Sequence, residues 1–297
     1  MIYKRFSILL VLLLVFSMSS NILAASGETT SLPSIYGKAA ITVDVSTGEI
    51  IYAKNVDKQM YPASTTKLMT ALLLAQNREK TDNIKYTQSA KDQPADSLNV
   101  NLHPIGLDET MSGSDVMDGM LLYSANDLAY MISDNVGKNS TNFMKMMNDK
   151  AVKLNMTRTH FVTPNGLNRP DHYTTPYDMS ILARSAFLNP WVKETMSKKQ
   201  TTISTSKGTT FKIKNTNKLL GIDGCIAGKT GYTSKAGRCL VAFYMRNGRE
   251  IMGVVLGSVD NPQNTYVYND MEKIINYSYI SKLTILHENN SIIKNET

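Results

Sequence analysis

Strand-like segments stand at both ends of this chain with helical ones between them, and that order restricts the fold more than any other feature. Residues 38–45 alternate and are β-branched, Ser46-Thr47-Gly48 makes a turn, and residues 49–54 form a second strand, so a β-hairpin leads. From about residue 77 to 190 helical patterns and polar loops dominate. Amphipathic helices are expected over 114–122, 126–136 and 141–154, the last carrying Phe143, Met144, Met146, Met147 and Val152. Thr175-Pro176-Tyr177-Asp178 starts another, over 179–188, with a Thr cap, Pro at the first helical position and an acid in the first turn. Strands return at 209–214, 225–230, 238–245 and 250–258, the last two joined through Arg246-Asn247-Gly248-Arg249. A helix over about 264–282 follows, with Val267, Met271, Ile274, Ile275 and Ile280 at helical spacing, a stripe that reads as core packing and not as a membrane anchor. The simplest closure brings early and late strands into one largely antiparallel, five-stranded sheet flanked by helices. This is an α/β (α+β) fold in which residues from about 77 to 200 form an inserted all-helical lobe. A site is expected in the cleft between sheet and lobe.

The domain is expected over 35–285, behind a signal peptide at 1–25 and a Ser/Thr/Gly-rich leader at 26–34, with a polar tail at 286–297. Lys4 and Arg5 precede an apolar run over 6–16, and small residues lead to a cleavage site after Ala24 or Ala25. An uncleaved N-terminal anchor is the alternative. Nothing later is long and apolar enough to cross a bilayer, so the mature protein is expected outside the cytoplasm. The net charge of +7 comes without a dense Lys/Arg block or a basic–aromatic stripe, which argues against nucleic acid as a partner. Cys225 and Cys239 are the only cysteines. They make no disulfide framework, and no Cys/His spacing suits a structural zinc, so neither metal nor cofactor is expected. A hairpin turning near Ser234-Lys235 would pair Cys225 with about Tyr244, which disfavours a Cys225–Cys239 bond.

Chemistry concentrates in three short stretches. Tyr61-Pro62-Ala63-Ser64-Thr65-Thr66-Lys67-Leu68-Met69-Thr70 opens a helix that is polar at its start and almost wholly apolar to Ala75, hence buried on all sides. Pro62 suits its first turn. Ser64 and Lys67 share a face there, and burial lowers a lysine's pKa until it can take a proton from serine. Ser64 could equally be a simple helix cap with Lys67 reaching solvent. Ser-x-x-Lys recurs at Ser204 and Ser291, but in a polar run and in the tail. Ser124-Ala125-Asn126 stands in a break between two helices, where Ser124 could aim into a cleft or merely cap the next helix. Lys229-Thr230-Gly231 occurs once, at a strand end. Consecutive strand residues face opposite sides, so a bulge or twist would be needed for both to reach one ligand.

Taken together, Ser64-x-x-Lys67, Ser124-x-Asn126 and Lys229-Thr230-Gly231 resemble the motif trio of the penicillin-binding serine D-alanyl-D-alanine carboxypeptidases. Tyr123-Ser124-Ala125-Asn126-Asp127, Thr163-Pro164-Asn165-Gly166-Leu167, His172-Tyr173-Thr174-Thr175 and Gly228-Lys229-Thr230-Gly231-Tyr232-Thr233 are similar to further stretches of its low-molecular-weight members. The resemblance covers about residues 35–271 and implies a β-lactamase/transpeptidase-like fold. It also implies an exported enzyme that trims the terminal D-Ala from peptidoglycan stem peptides at the cell wall and is acylated by β-lactams. Ser64 would be the nucleophile, Lys67 the base, and Ser124 the group passing a proton to the leaving amine. Asn126 would hold the substrate amide, and Lys229 with Thr230 the terminal carboxylate. Gly231 would let the ligand approach the backbone, and the amides of Ser64 and Tyr232 would form the oxyanion hole.

Two departures stand out. Family members often carry a C-terminal β-rich domain and an amphipathic membrane helix, and this chain is too short for either, so no C-terminal anchor is expected. Many also place a carboxylate-binding arginine after the last strand, where residues 257–264 offer none; Arg238 is the nearest substitute. Other functions remain in view: a class A-type β-lactamase, and a catalytically silent wall-binding homologue. A lactamase needs a water-activating glutamate between the second and third motifs. Glu194, at a helix start, and Asp171 and Asp178 are poorly placed for that role. His160 and His172 are read as loop residues bonded to backbone, since Lys67 already supplies a base.

Overall fold

The computed structural model describes residues 31–281 apart from 94 and 264; the expected signal peptide, most of the leader, the tail and the end of the last helix lie outside the described residues. The N-terminal hairpin is β1 (Ala39–Asp44) and β2 (Ile50–Lys54). A 3-10 turn (Ala63–Thr66) then leads into α1 (Lys67–Asn77), where the expected single helix from Pro62 divides in two. Next come β3 (Asn83–Lys85), α2 (Gln88–Lys91), α3 (Leu98–Asn101), β4 (Thr110–Ser112) and α4 (Gly113–Asp118). A π-helical turn (Gly119–Tyr123) separates α4 from α5 (Asn126–Gly137) and α6 (Ser140–Lys153). After α7 (Pro176–Leu188) and α8 (Pro190–Ser197), the hairpin β5 (Gln200–Ser204) and β6 (Thr210–Lys214) precedes the late meander. That meander is β7 (Cys225–Thr233), β8 (Gly237–Arg246) and β9 (Arg249–Ser258), closed by α9 (Tyr266–Ile280).

The main sheet is antiparallel and ordered β2-β1-β9-β8-β7, so the first strand pairs with the last across the whole insert. Strand alternation sends successive residues to two different cores. Cys239, Val241 and Phe243 of β8 join the lobe-side core, while Leu240, Ala242 and Tyr244 pack with Val267, Met271, Ile274 and Ile275 of α9. Gly253 on β9 lies so close to α9 that a Cβ would sit 2.4 Å from Met271 Sδ. On the other face Phe187 of α7 stacks on Phe243 at 4.0 Å. Residues 67–74 of α1 are all buried, as the apolar run requires. Each large aliphatic among them contributes about 1.5–3 kcal/mol of burial.

The lobe is not all-helical. β3 and β4 pair within it, with Ile84 opposite Met111 and both buried. Three residues are too short a run for alternation to register in the sequence. Cys225 pairs with Tyr244 as expected, and both cysteines are free and buried.

Candidate active site

The turn that presents Ser64 is held in an unusual backbone state. Ala63 lies at φ 48°, in the left-handed region. Such a conformation persists in a residue with a side chain only when its surroundings impose it. Here two glycines do so. At Gly166 (φ 86°) a Cβ would come within 1.9 Å of Ala63 O, and at Gly231 one would sit 2.9 Å from Ser64 N. Gly231 thus presses β7 against the Ser64 amide. No side chain caps this turn or α1, so Ser64 is free of the capping role.

Lys67 is fully buried, yet among the described residues no carboxylate is hydrogen-bonded to its side-chain nitrogen. Nζ donates to Ser64 Oγ at 2.9 Å, to Asn126 Oδ1 at 2.8 Å and to Asn165 O at 3.1 Å. Burial, and then the nearby charge of Lys229, drives its pKa far below the usual lysine range, against a smaller opposing pull from Asp96 and Asp127. Lys229 is buried too. Its Nζ donates to Ser124 Oγ at 2.8 Å and to Thr230 O at 3.0 Å, and burial lowers it to about 7.

Ser124 closes the π-helical turn at φ 73°, while Ala125 stands at the start of α5 with no side-chain cap. Ser124 is therefore aimed at Lys229 instead of capping a helix. Asn126 is turned inward. Its oxygen serves Lys67, its Nδ2 donates to Ala95 O at 2.9 Å, and its backbone N–H to Asp96 O at 2.7 Å. Its oxygen and one of its two N–H donors are thus engaged within the protein, so Asn126 holds Lys67 in place.

Lys229 and Thr230 part company. The β7–β8 ladder is regular there, its irregularity lying between Cys225 and Ala227, so no bulge brings the two together. Lys229 points in to Ser124, and Thr230 Oγ1 lies 2.6 Å from Thr216 Oγ1. Tyr232 is exposed, with the Arg238 guanidinium 4.0 Å from its ring centroid. Arg238 does reach the end of β7, but Nε is 2.8 Å from Asp260 Oδ1. Neither histidine contacts Ser64: His160 Nδ1 meets Asp171 O, and His172 lies behind Thr66.

Asn165 and Gly166, marked in the sequence only as part of the stretch 163–167 and given no role, belong to this site, as does Thr216, which nothing in the sequence marks. Asn165 acts through its backbone carbonyl, which no side-chain pattern reveals. The turn residues Pro164-Asn165-Gly166 were the available signal.

The fold and this constellation define a penicillin-binding DD-peptidase architecture. The ampicillin-bound penicillin-binding protein D2 of Listeria monocytogenes superposes with a TM-score of 0.72 at 30% identity, over 83% of this chain and 100% of that one. The family described as D-alanyl-D-alanine carboxypeptidase (peptidase S11) matches residues 26–260, and the chain belongs to it. The D-alanyl-D-alanine carboxypeptidase DacF of Bacillus subtilis is 29% identical over 241 residues, 78% of this chain and 60% of that protein. DacC of Escherichia coli is 30% identical over 270 residues, 86% of this chain and 64% of that one. The chain thus spans about three fifths of the length of these curated relatives.

Proposed function

We propose that the protein is an exported serine D-alanyl-D-alanine carboxypeptidase that removes the terminal D-Ala of peptidoglycan pentapeptides through an acyl-enzyme on Ser64. The observation that carries this is a fully buried lysine 2.9 Å from a partly exposed serine hydroxyl, with no carboxylate bonded to its ammonium. Lys67, neutral, takes the Ser64 proton as Oγ attacks the carbonyl between the two D-alanines. The oxyanion forms beside the amides of Ser64 and Tyr232, each worth about 3–4 kcal/mol in such a site. Collapse breaks the C–N bond, and Ser124 passes a proton to the departing D-Ala amine. The proton that Lys67 took from Ser64 is the one that Ser124 hands on, so Lys67 is neutral again, and Lys229, at about 7, retains part of its charge at neutral pH. Water then enters the vacated space and attacks the ester, giving its proton to Lys67, which passes it to Ser64 Oγ as the acyl C–O bond breaks. The Lys4-Arg5 start, the apolar run and the small residues before Ala25 support export towards the cell wall.

A β-lactam acylates the same serine, but its leaving nitrogen stays tethered and blocks the water. The carboxylates between the second and third motifs that could activate that water are engaged elsewhere. Glu194 is exposed and paired with Lys80 at 2.6 Å, and Asp178 is held by Arg158 N and Thr159 Oγ1. The penicilloyl-enzyme should therefore last minutes or longer. The test is D-alanine release from a pentapeptide, with peptide mapping of a single penicillin adduct on Ser64. Absence of D-alanine release refutes the carboxypeptidase reading. β-Lactam turnover above about 10 per second, the median scale for enzymes, would favour a lactamase, and neither reaction a silent wall-binding role.

A further inference from the structure

One buried titratable side chain lies close to the dyad yet takes no part in the chemistry above. His172 is fully buried, its ring edge-on to Phe161 at 5.8 Å. Nδ1 accepts the backbone N–H of Val162 at 3.0 Å and of Thr163 at 3.3 Å. Two donors on one nitrogen leave the ring proton on Nε2, which donates to Thr66 Oγ1 at 2.9 Å.

The two segments that this ring joins are those that hold the dyad. Thr66 closes the turn carrying Ser64 and precedes Lys67. Beyond Val162 and Thr163, the same loop gives Pro164 O to Thr70 Oγ1 at 2.6 Å and Asn165 O to Lys67 Nζ at 3.1 Å, and seats Gly166 against Ala63 O. The segment after His172 is pinned as well, since Thr174 and Met60 exchange both backbone hydrogen bonds just ahead of Pro62.

We propose that neutral His172 is a positioning residue, a single imidazole that fixes the distance between the Ser64 turn and the Asn165 loop and so holds Lys67 Nζ on Ser64 Oγ. This rests on the acyl-enzyme reading above. A proton on Nδ1 would set a third donor against two amides and break the link. Burial, and a smaller push from the charge of His160 when protonated, keep that proton off until about 4. His160 faces it from the strand-like bridge to Tyr173, and Lys67, on α1, directs its ammonium away to Ser64.

Glutamine offers one acceptor and one donor in the same forked order as this tautomer; alanine offers neither. The experiment compares wild type, His172→Gln and His172→Ala, measuring penicillin acylation of the full chain against pH. Lys67 titration is followed in parallel by NMR of isotope-labelled lysine. His172→Ala should acylate about tenfold or more slowly at pH 7, the scale of a misplaced reacting group. Its Lys67 should titrate at higher pH, as water replaces Asn165 O. His172→Gln should restore both, and should lack the acid inflection at about 4 expected of wild type. A folded His172→Ala with wild-type acylation and Lys67 titration overturns the proposal. Persistence of the acid inflection in His172→Gln overturns it as well, and decides the matter if the alanine variant does not fold. Should wild type itself fail to acylate, the acyl-enzyme reading falls, and the Lys67 titration still decides for or against His172.

Discussion

The two faces of the main sheet each bury a charged side chain, and they treat it in opposite ways. On the α9 face Asp270 is fully enclosed and accepts Tyr36 N at 2.9 Å, Gly37 N at 2.8 Å and Ser258 Oγ at 2.6 Å. Every partner is a donor, and together they tie the chain's entry into β1 to the end of β9. On the lobe face Lys67 is equally enclosed, but its partners are two neutral side-chain oxygens and a carbonyl, with a second ammonium nearby. Those oxygens position the nitrogen without offsetting the cost of its charge. Hydrogen bonds that match a buried charge give stability; a buried amine matched only in geometry is the one proposed as the base.

The largest expected effect tests the reactive half of that contrast. Lys67→Arg keeps a cation that does not deprotonate, and acylation by penicillin should fall by about 10³-fold, the scale of a lost general base, in a protein that remains folded. Time-resolved intact mass gives the rate, and a comparable rate would mean that Lys67 is not the base. Asp270→Ala tests the structural half. Two amides and a hydroxyl lose their acceptor, and stability should drop by about 3 kcal/mol. The urea midpoint should shift while the acylation rate of the folded fraction stays put; a slowed rate would show that the two faces are coupled.

Gly166→Ala sits between the halves. Its Cβ would overlap Ala63 O at a position already at φ 86°, so a loss of about 2 kcal/mol is expected, with slower acylation as the Ser64 turn shifts. An unchanged denaturation curve would show that the turn yields freely. The smallest effect has the opposite sign. Lys67→Met, inactive, should be more stable than wild type by about 1 kcal/mol, because it removes a buried amine. The lysine's folded pKa is lowered, so its penalty is complete below that value, where folding buries the ammonium. The gain should therefore fade as pH rises towards the ordinary lysine value, where the unfolded chain also gives up its proton. A stability gain that grows with pH would break the comparison.

The parts legible in the sequence are those written in side-chain periodicity. The hairpin and the β7–β9 meander show as alternation, α1 as an apolar run, and the Cys225–Tyr244 pairing as simple counting from a turn. Ser64, Lys67, Ser124, Asn126 and Lys229 stand out because their residue types carry chemistry. What escaped is written in backbone geometry or across long separations. The left-handed Ala63 and Ser124, the Asn165 carbonyl and the inward carboxamide of Asn126 have no one-dimensional signature. Arg238 could be named as a candidate, yet its partners Tyr232 and Asp260 appear only once β7, β8 and the end of β9 lie side by side.

The seam between β1 and β9 sets a timetable for assembly. As the chain is made from its N-terminus, the hairpin and the whole lobe are complete before β1 has its inner neighbour, since Ala39 pairs with Leu256. Closing so long a loop costs entropy that the ladder between β1 and β9 cannot offset until the last strand arrives, which favours a slow final step. Lys229 and Gly231 are delivered in that same late block, so the nucleophile's surroundings are finished only when the sheet is. Completion of the fold and of the proposed site are therefore one event: a half-made chain holds a serine and a lysine, but not the enclosure that lowers the lysine's pKa.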